Sequence, residues 1–171
     1  MRAPTHSPRC AIERGLIAGA LGTAAMTGHQ QLHRRLEQGE AAGDGGGEAG
    51  DPWKSAPAPA RAGRRVIESI FQRRVSPSRI PLLAQAMHWS YGTLWGAIYG
   101  LARSSTRAPT PVRGAAFGVA VWASSYAQLV PMGVYEPPWR YSPGELADDL
   151  AYHLTYGVGV AVAYEQLGRR R

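Results

Sequence analysis

Cysteine is nearly absent from this chain of 171 residues. Cys10 stands alone, which excludes an intrachain disulfide framework and any zinc site built on cysteine pairs. Lysine is equally scarce: Lys54 is the only one, so arginine supplies nearly all of the 19 basic residues. No nucleophile motif, Gly-rich phosphate loop or His-Glu-x-x-His run is present. The sequence therefore gives no ground for an enzyme, assigns no catalytic residue, and calls for no cofactor.

The most informative absence is that of charge. Asp, Glu, Lys and Arg are missing from Gly15–His33 (19 residues), Ile80–Ala102 (23), Gly114–Tyr135 (22) and Leu150–Tyr164 (15). A membrane-spanning helix needs about 20 mostly apolar residues. The mean hydropathy of -0.25 hides this segregation, because the charges crowd between the windows. A soluble bundle should carry a charged face on each surface helix, and these windows have none. Internal glycines and the terminal aromatics Tyr99, Tyr135, Trp139, Tyr141 and Tyr164 also favour membrane helices. Arg2, Arg9 and Arg14 before Gly15–Met26 resemble a signal peptide, but one cleaved signal leaves the later windows unexplained.

The expected organisation is all-α. A four-helix transmembrane bundle comprises an N-terminal segment with helix one (1–38), helix two (80–102), helix three (111–135) and helix four (143–167). Thr110 caps the third helix and Pro111 starts it, while Pro131 should kink or end it. Ser142-Pro143-Gly144-Glu145 reads as a capping box that opens the fourth. Residues 39–63, rich in Gly, Ala and Pro, read as a flexible linker in which Trp53 touches the bilayer surface. In 64–79, Val66, Ile67, Ile70, Phe71 and Val75 share a face beside Arg64, Arg65, Arg73 and Arg74, which predicts an interfacial amphipathic helix. No nucleic-acid-binding module accompanies these arginines, so the expected partner is the lipid bilayer and not nucleic acid.

Self-comparison adds a repeat. His88, Tyr91, Gly92, Gly96 and Tyr99 match His153, Tyr156, Gly157, Ala161 and Tyr164 in spacing. Arg14-Gly15 with Gly19 matches Arg113-Gly114 with Gly118. Two parallel two-helix units would be related by a pseudo-twofold axis along the membrane normal. Gly15, Gly19, Gly92, Gly96, Gly100, Gly114, Gly118 and Gly157 are then helix-packing positions, internal to the chain in preference to joining copies of a homo-oligomer.

HWSYGTLWGAIYG, GAAFGVAVWASSYAQLVP, the EPPW turn and YHLTYG together resemble the YagU-like bacterial inner-membrane proteins and related small membrane proteins of unknown function. The resemblance covers roughly Ile12–Arg34 and Ile80–Glu165. It implies a helical protein of the bacterial inner membrane and carries over no catalytic residue.

Ionisable groups at membrane depth are functional candidates. The repeat places His88, Tyr91, His153 and Tyr156 on inward faces, and Asp149 lies one turn before His153, with Asp148 pointing away. These five residues form the candidate polar intramembrane site. His29 and His33, spaced i, i+4, lack a third ligand and read as polar residues at a helix end, so no metal is expected. The leading function is structural or stress-related; the alternative is a channel or transporter for protons or small solutes. Arg103–Arg113 carries three Arg and no acid, whereas Glu136–Asp149 carries one Arg and four acids. The positive-inside rule then puts the former and both termini in the cytoplasm.

Overall fold

The computed structural model describes residues 7–40, 51–102 and 108–169. Five α-helices account for most of them: α1 (Pro8–Glu40), α2 (Ala58–Phe71), α3 (Ile80–Ala102), α4 (Thr110–Leu129) and α5 (Pro143–Arg169). No strand occurs among the described residues. None of the helices among these residues is long and apolar enough to cross a membrane by its own hydropathy.

Local chemistry sets most of the ends. Ser7 caps α1, its Oγ accepting from the Cys10 N–H at 3.4 Å, and Pro8 occupies the first helical position. The capping box of α5 forms: Ser142 Oγ accepts from the Glu145 N–H at 3.2 Å, and Glu145 Oε2 accepts from the Ser142 N–H at 2.8 Å. At α4 the cap differs from expectation, because Pro109 holds the N-cap position with no side-chain hydrogen bond and Thr110 is already helical. Helix α4 also stops at Leu129, short of the expected 135. Pro131 has no N–H to continue the ladder, and the chain instead folds back, with the Val134 and Tyr135 N–H groups both donating to the Leu129 carbonyl. Gly133 allows this reversal at φ +62°. A 3-10 turn at Pro138–Arg140 leads on to α5.

The second helix requires a larger correction. It occupies Ala58–Phe71, not 64–79, so the last six residues of the expected linker are helical. Alanine and arginine are good helix formers, and Pro57 and Pro59 sit where the first turn tolerates proline. Gln72 ends α2 in the left-handed conformation at φ 52°, leaving Arg73–Val75 outside it. Trp53 does not lie on the outside: it is buried with Ala56, Ala60 and Leu83, beneath the Arg64 guanidinium, 4.8 Å from its ring centre. Positions 41–50 of the expected linker lie outside the described residues.

Helix α1 is the centre of the bundle, packed antiparallel against α3 on one side and α5 on the other, with α4 antiparallel to α5. The α1/α3 and α4/α5 pairs both touch through glycine. A Cβ on Gly19 would lie 2.7 Å from the Gly92 carbonyl oxygen, and one on Gly114 would lie 2.7 Å from Val158 Cα.

The two pairs are not related by a clean twofold axis. The repeat equates Gly96 with Ala161 and Gly92 with Gly157. In the fold, Gly96 meets Gly15 and Gly19 as Gly157 meets Gly114 and Gly118, one turn out of repeat register. The methyl of Ala161 accounts for the slip, since it cannot occupy the closest approach, which moves to the next glycine. The joints between the halves differ as well. Between α1 and α5 the backbones nearly touch, and a Cβ on Gly159 would lie 3.2 Å from Gly22 Cα. Between α3 and α4 lie the rings of Trp95, Tyr99 and Phe117.

At the C-terminal end of α5, the repeat-related arginines converge. The buried Arg14 donates to the Tyr164 carbonyl at 2.7 Å and covers the Tyr164 ring, while Arg113 pairs with Glu165. Cations at a helix C-terminus complement its dipole.

Candidate functional site

Hydrogen bonds fix the polar groups of the bundle interior. Thr27 Oγ1 donates its only hydrogen to the Thr23 carbonyl at 2.8 Å, so it must accept at its second contact, His88 Nε2 at 3.2 Å. The neutral His88 ring is thereby the Nε2–H tautomer. His153 Nδ1 lies 2.8 Å from the Asp149 carbonyl oxygen, which can only accept, so Nδ1 carries the hydrogen there. The same nitrogen is 3.5 Å from Asp149 Oδ1. The neutral histidines thus carry their hydrogens on opposite nitrogens, Nε2 on His88 and Nδ1 on His153.

Asp149 is held by aromatic donors. Its Oδ2 accepts from Trp122 Nε1 at 3.0 Å and from the Tyr126 hydroxyl at 3.1 Å. Tyr91 accepts from Gln128 Nε2 at 3.0 Å.

His88, Tyr91, Asp149 and His153 line one cavity of about 280 Å³ between α1, α2, α3, α4 and α5. Gln30, Ser125 and Gln128 add polar groups, and Met26, Met87 and Met132 supply soft apolar walls. His153 is buried and His88 half-buried, so both histidines turn inward. Tyr156 is absent from this wall. Its hydroxyl donates to the Gly92 carbonyl at 2.5 Å, which makes it a bolt between α5 and α3. The expected packing glycines all stand at helix crossings: Gly15, Gly19, Gly92, Gly96 and Gly100 between α1 and α3, Gly114, Gly118 and Gly157 between α4 and α5.

His29 and His33 stitch α1 to α5. His29 Nδ1 lies 2.8 Å from Thr155 Oγ1, and His33 Nδ1 lies 2.7 Å from the Tyr152 hydroxyl. Asp148 does turn from the cavity, its Oδ1 standing 3.9 Å from His33 Nε2. Among the described residues no group of three His, Cys, Asp or Glu gathers to hold a metal ion.

Sequence reasoning missed Trp122, Tyr126, Tyr135 and Gln128 as neighbours of the site. The only local signal was spacing: Trp122 and Tyr126 are one turn apart and so share a face of α4. Comparison with protein-family models, with curated proteins and with solved structures finds no match for this chain.

Proposed function

We propose that this chain is a small multi-pass membrane protein with a structural role, in which α1, α3, α4 and α5 lie in the bilayer and α2 lies on its surface. One observation carries the reading. The charge-free stretches present aliphatic side chains outward, and a few polar groups lie within the mostly apolar core. Leu16, Ile17 and Leu21 of α1, Leu94, Ile98 and Leu101 of α3, Val112 and Val119 of α4 and Val162 of α5 are exposed, whereas Thr23, Ser125 and His153 are buried. A surface helix of a protein surrounded by water carries charged side chains on its outer face, and these stretches carry none.

The same arrangement accounts for the modest hydropathy of each helix. Several of their polar atoms donate to backbone carbonyls of the helix itself or of a neighbour, which satisfies them away from lipid. Thr23 Oγ1 donates to the Gly19 carbonyl at 2.8 Å, and Tyr156 to that of Gly92. The resemblance to YagU-like proteins supports a bacterial inner membrane as the location.

Alkaline carbonate extraction of membranes tests this. The protein should stay in the pellet and require detergent for release; recovery in the supernatant would rule out the bilayer-embedded bundle.

A second reading is favoured by the cavity itself, which brings two histidines and a carboxylate together inside the bundle. In that reading the chamber takes up protons or a small polar solute. Proteoliposome flux should then rise as pH falls through the histidine range, and a His88→Ala, His153→Ala double variant should abolish the response. Flux indistinguishable from protein-free liposomes leaves the structural role alone.

A further inference from the structure

The polar face of α2 borders a second cavity, of about 660 Å³, on the side away from the histidines. It is walled by the Asp51–Lys54 turn, by Arg61, Arg64, Arg65 and Glu68 of α2, and by Gly133 of the α4–α5 turn. Its charges are unevenly committed. Asp51 Oδ1 accepts from the Trp53 N–H at 3.0 Å, and Glu68 Oε1 accepts from Arg64 Nε and the Val75 N–H, both at 3.0 Å. Arg64 is held between Glu68 and the Trp53 ring. Lys54, Arg61 and Arg65 have no carboxylate within salt-bridge distance among the described residues.

Two further features point to a ligand. Arg61 Nε is buried without a hydrogen-bond partner, a costly state for a charged donor. The Arg65 guanidinium lies over Gly133, with an NH2 nitrogen 3.2 Å from where a Cβ would stand. A side chain there would displace it, so the glycine seats this arginine at the cavity wall.

We infer that this cavity is a binding site for a phosphate-bearing anion, gripped by Arg61 and Arg65 with Lys54 at its mouth. Guanidinium groups match phosphate oxygens in fork geometry, and three uncommitted cations around one hollow exceed what a single carboxylate ligand needs. The phosphate belongs either to an anionic lipid headgroup or to free phosphate. The lipid source rests on the bilayer reading and has its own support in Phe71, which stands two turns along α2 from Arg64 and is exposed, an apolar side chain that acyl chains would cover.

Thermal unfolding of the full chain in neutral detergent distinguishes these cases. Phosphatidylglycerol, phosphatidylcholine and inorganic phosphate are titrated separately. Phosphatidylglycerol should raise the unfolding temperature and phosphatidylcholine should not. The Arg61→Gln, Arg65→Gln variant should need roughly 30-fold more lipid for the same effect. Arg73→Gln, Arg74→Gln removes the same charge outside the cavity and should respond as the wild type does. If the first variant does not fold, Lys54→Gln gives the graded loss. Inorganic phosphate matching the lipid at equal concentration assigns the site to free phosphate. No response to either phosphate, or equal loss in both arginine pairs, overturns the site. Solubility without detergent would remove the bilayer reading, while the inorganic phosphate titration still reports on the cavity.

Discussion

Single glycines in this protein differ sharply in what surrounds them. A Cβ on Gly96 would run into backbone atoms of Gly15 and Gly19, which cannot rotate away, so α1 and α3 would have to separate. Gly96→Ala is expected to destabilise the protein by about 1–3 kcal/mol, outweighing the helix propensity that alanine adds. Gly28 has nothing within 4 Å of its would-be Cβ. Gly28→Ala should stabilise by up to about 1 kcal/mol. Equilibrium unfolding in detergent checks both, and the opposite signs are the test. Asp149 offers a second case. Truncating it to Ala strands the Trp122 and Tyr126 donors, which should cost about 1–2 kcal/mol, the half-open surroundings holding the figure down. A double-mutant cycle with Trp122→Phe should show coupling between the two positions; strict additivity would mean the Asp149–Trp122 bond contributes nothing. That bond was invisible in the sequence, because its partners lie 27 residues apart and only the fold brings them together.

At the scale of elements, absence of charge located α3 to the residue, and the capping box located the start of α5, because both signals are local. Composition misled at α2: Pro, Ala and Gly suggest a linker whether or not a partner waits for them. What fixes that helix is burial of Ala60 and Ala62 and the close approach of Gly63 to Met87, which no local pattern encodes. Its end is tied by Glu68, whose carboxyl is held below the usual carboxylate range first by the Val75 N–H and then by Arg64. The carboxylate therefore stabilises the α2–α3 connection above the unfolded value near 4.5, and this contribution is lost as pH falls through the lower folded value. Hydrogen-exchange protection of the Val75 amide should drop below pH 4.5, and Glu68→Gln should be flat across that window. A wild-type drop retained in Glu68→Gln would assign the effect to another group.

For the whole molecule, the repeat was legible but its symmetry was not. Spacing revealed which residues correspond; it did not reveal that Ala161 would push the crossing by a turn, or that α3 and α4 would meet through rings while α1 and α5 meet through backbone. On the proposed bilayer reading, orientation is a separate property, expected to follow the arginine distribution. In a Cys10→Ser background, a cysteine introduced at Ser105, outside the described residues, should react with an impermeant thiol reagent only after the inner membrane is opened. Labelling of intact spheroplasts would reverse the orientation.

The central position of α1 also imposes a schedule. It leaves the ribosome before the other four helices, and α3 covers one of its sides, but its other partner, α5, follows all of these: Arg14 bonds to Tyr164, 150 residues downstream. At roughly 5–20 residues per second, that partner follows by about 8–30 s. For that interval Arg14 and the flank around Gly22 are open to whatever chaperone or protease is nearby. A chain cut before α5 never closes that flank, so loss of the last helix should be read by the cell as an unfinished protein and not as a shorter one.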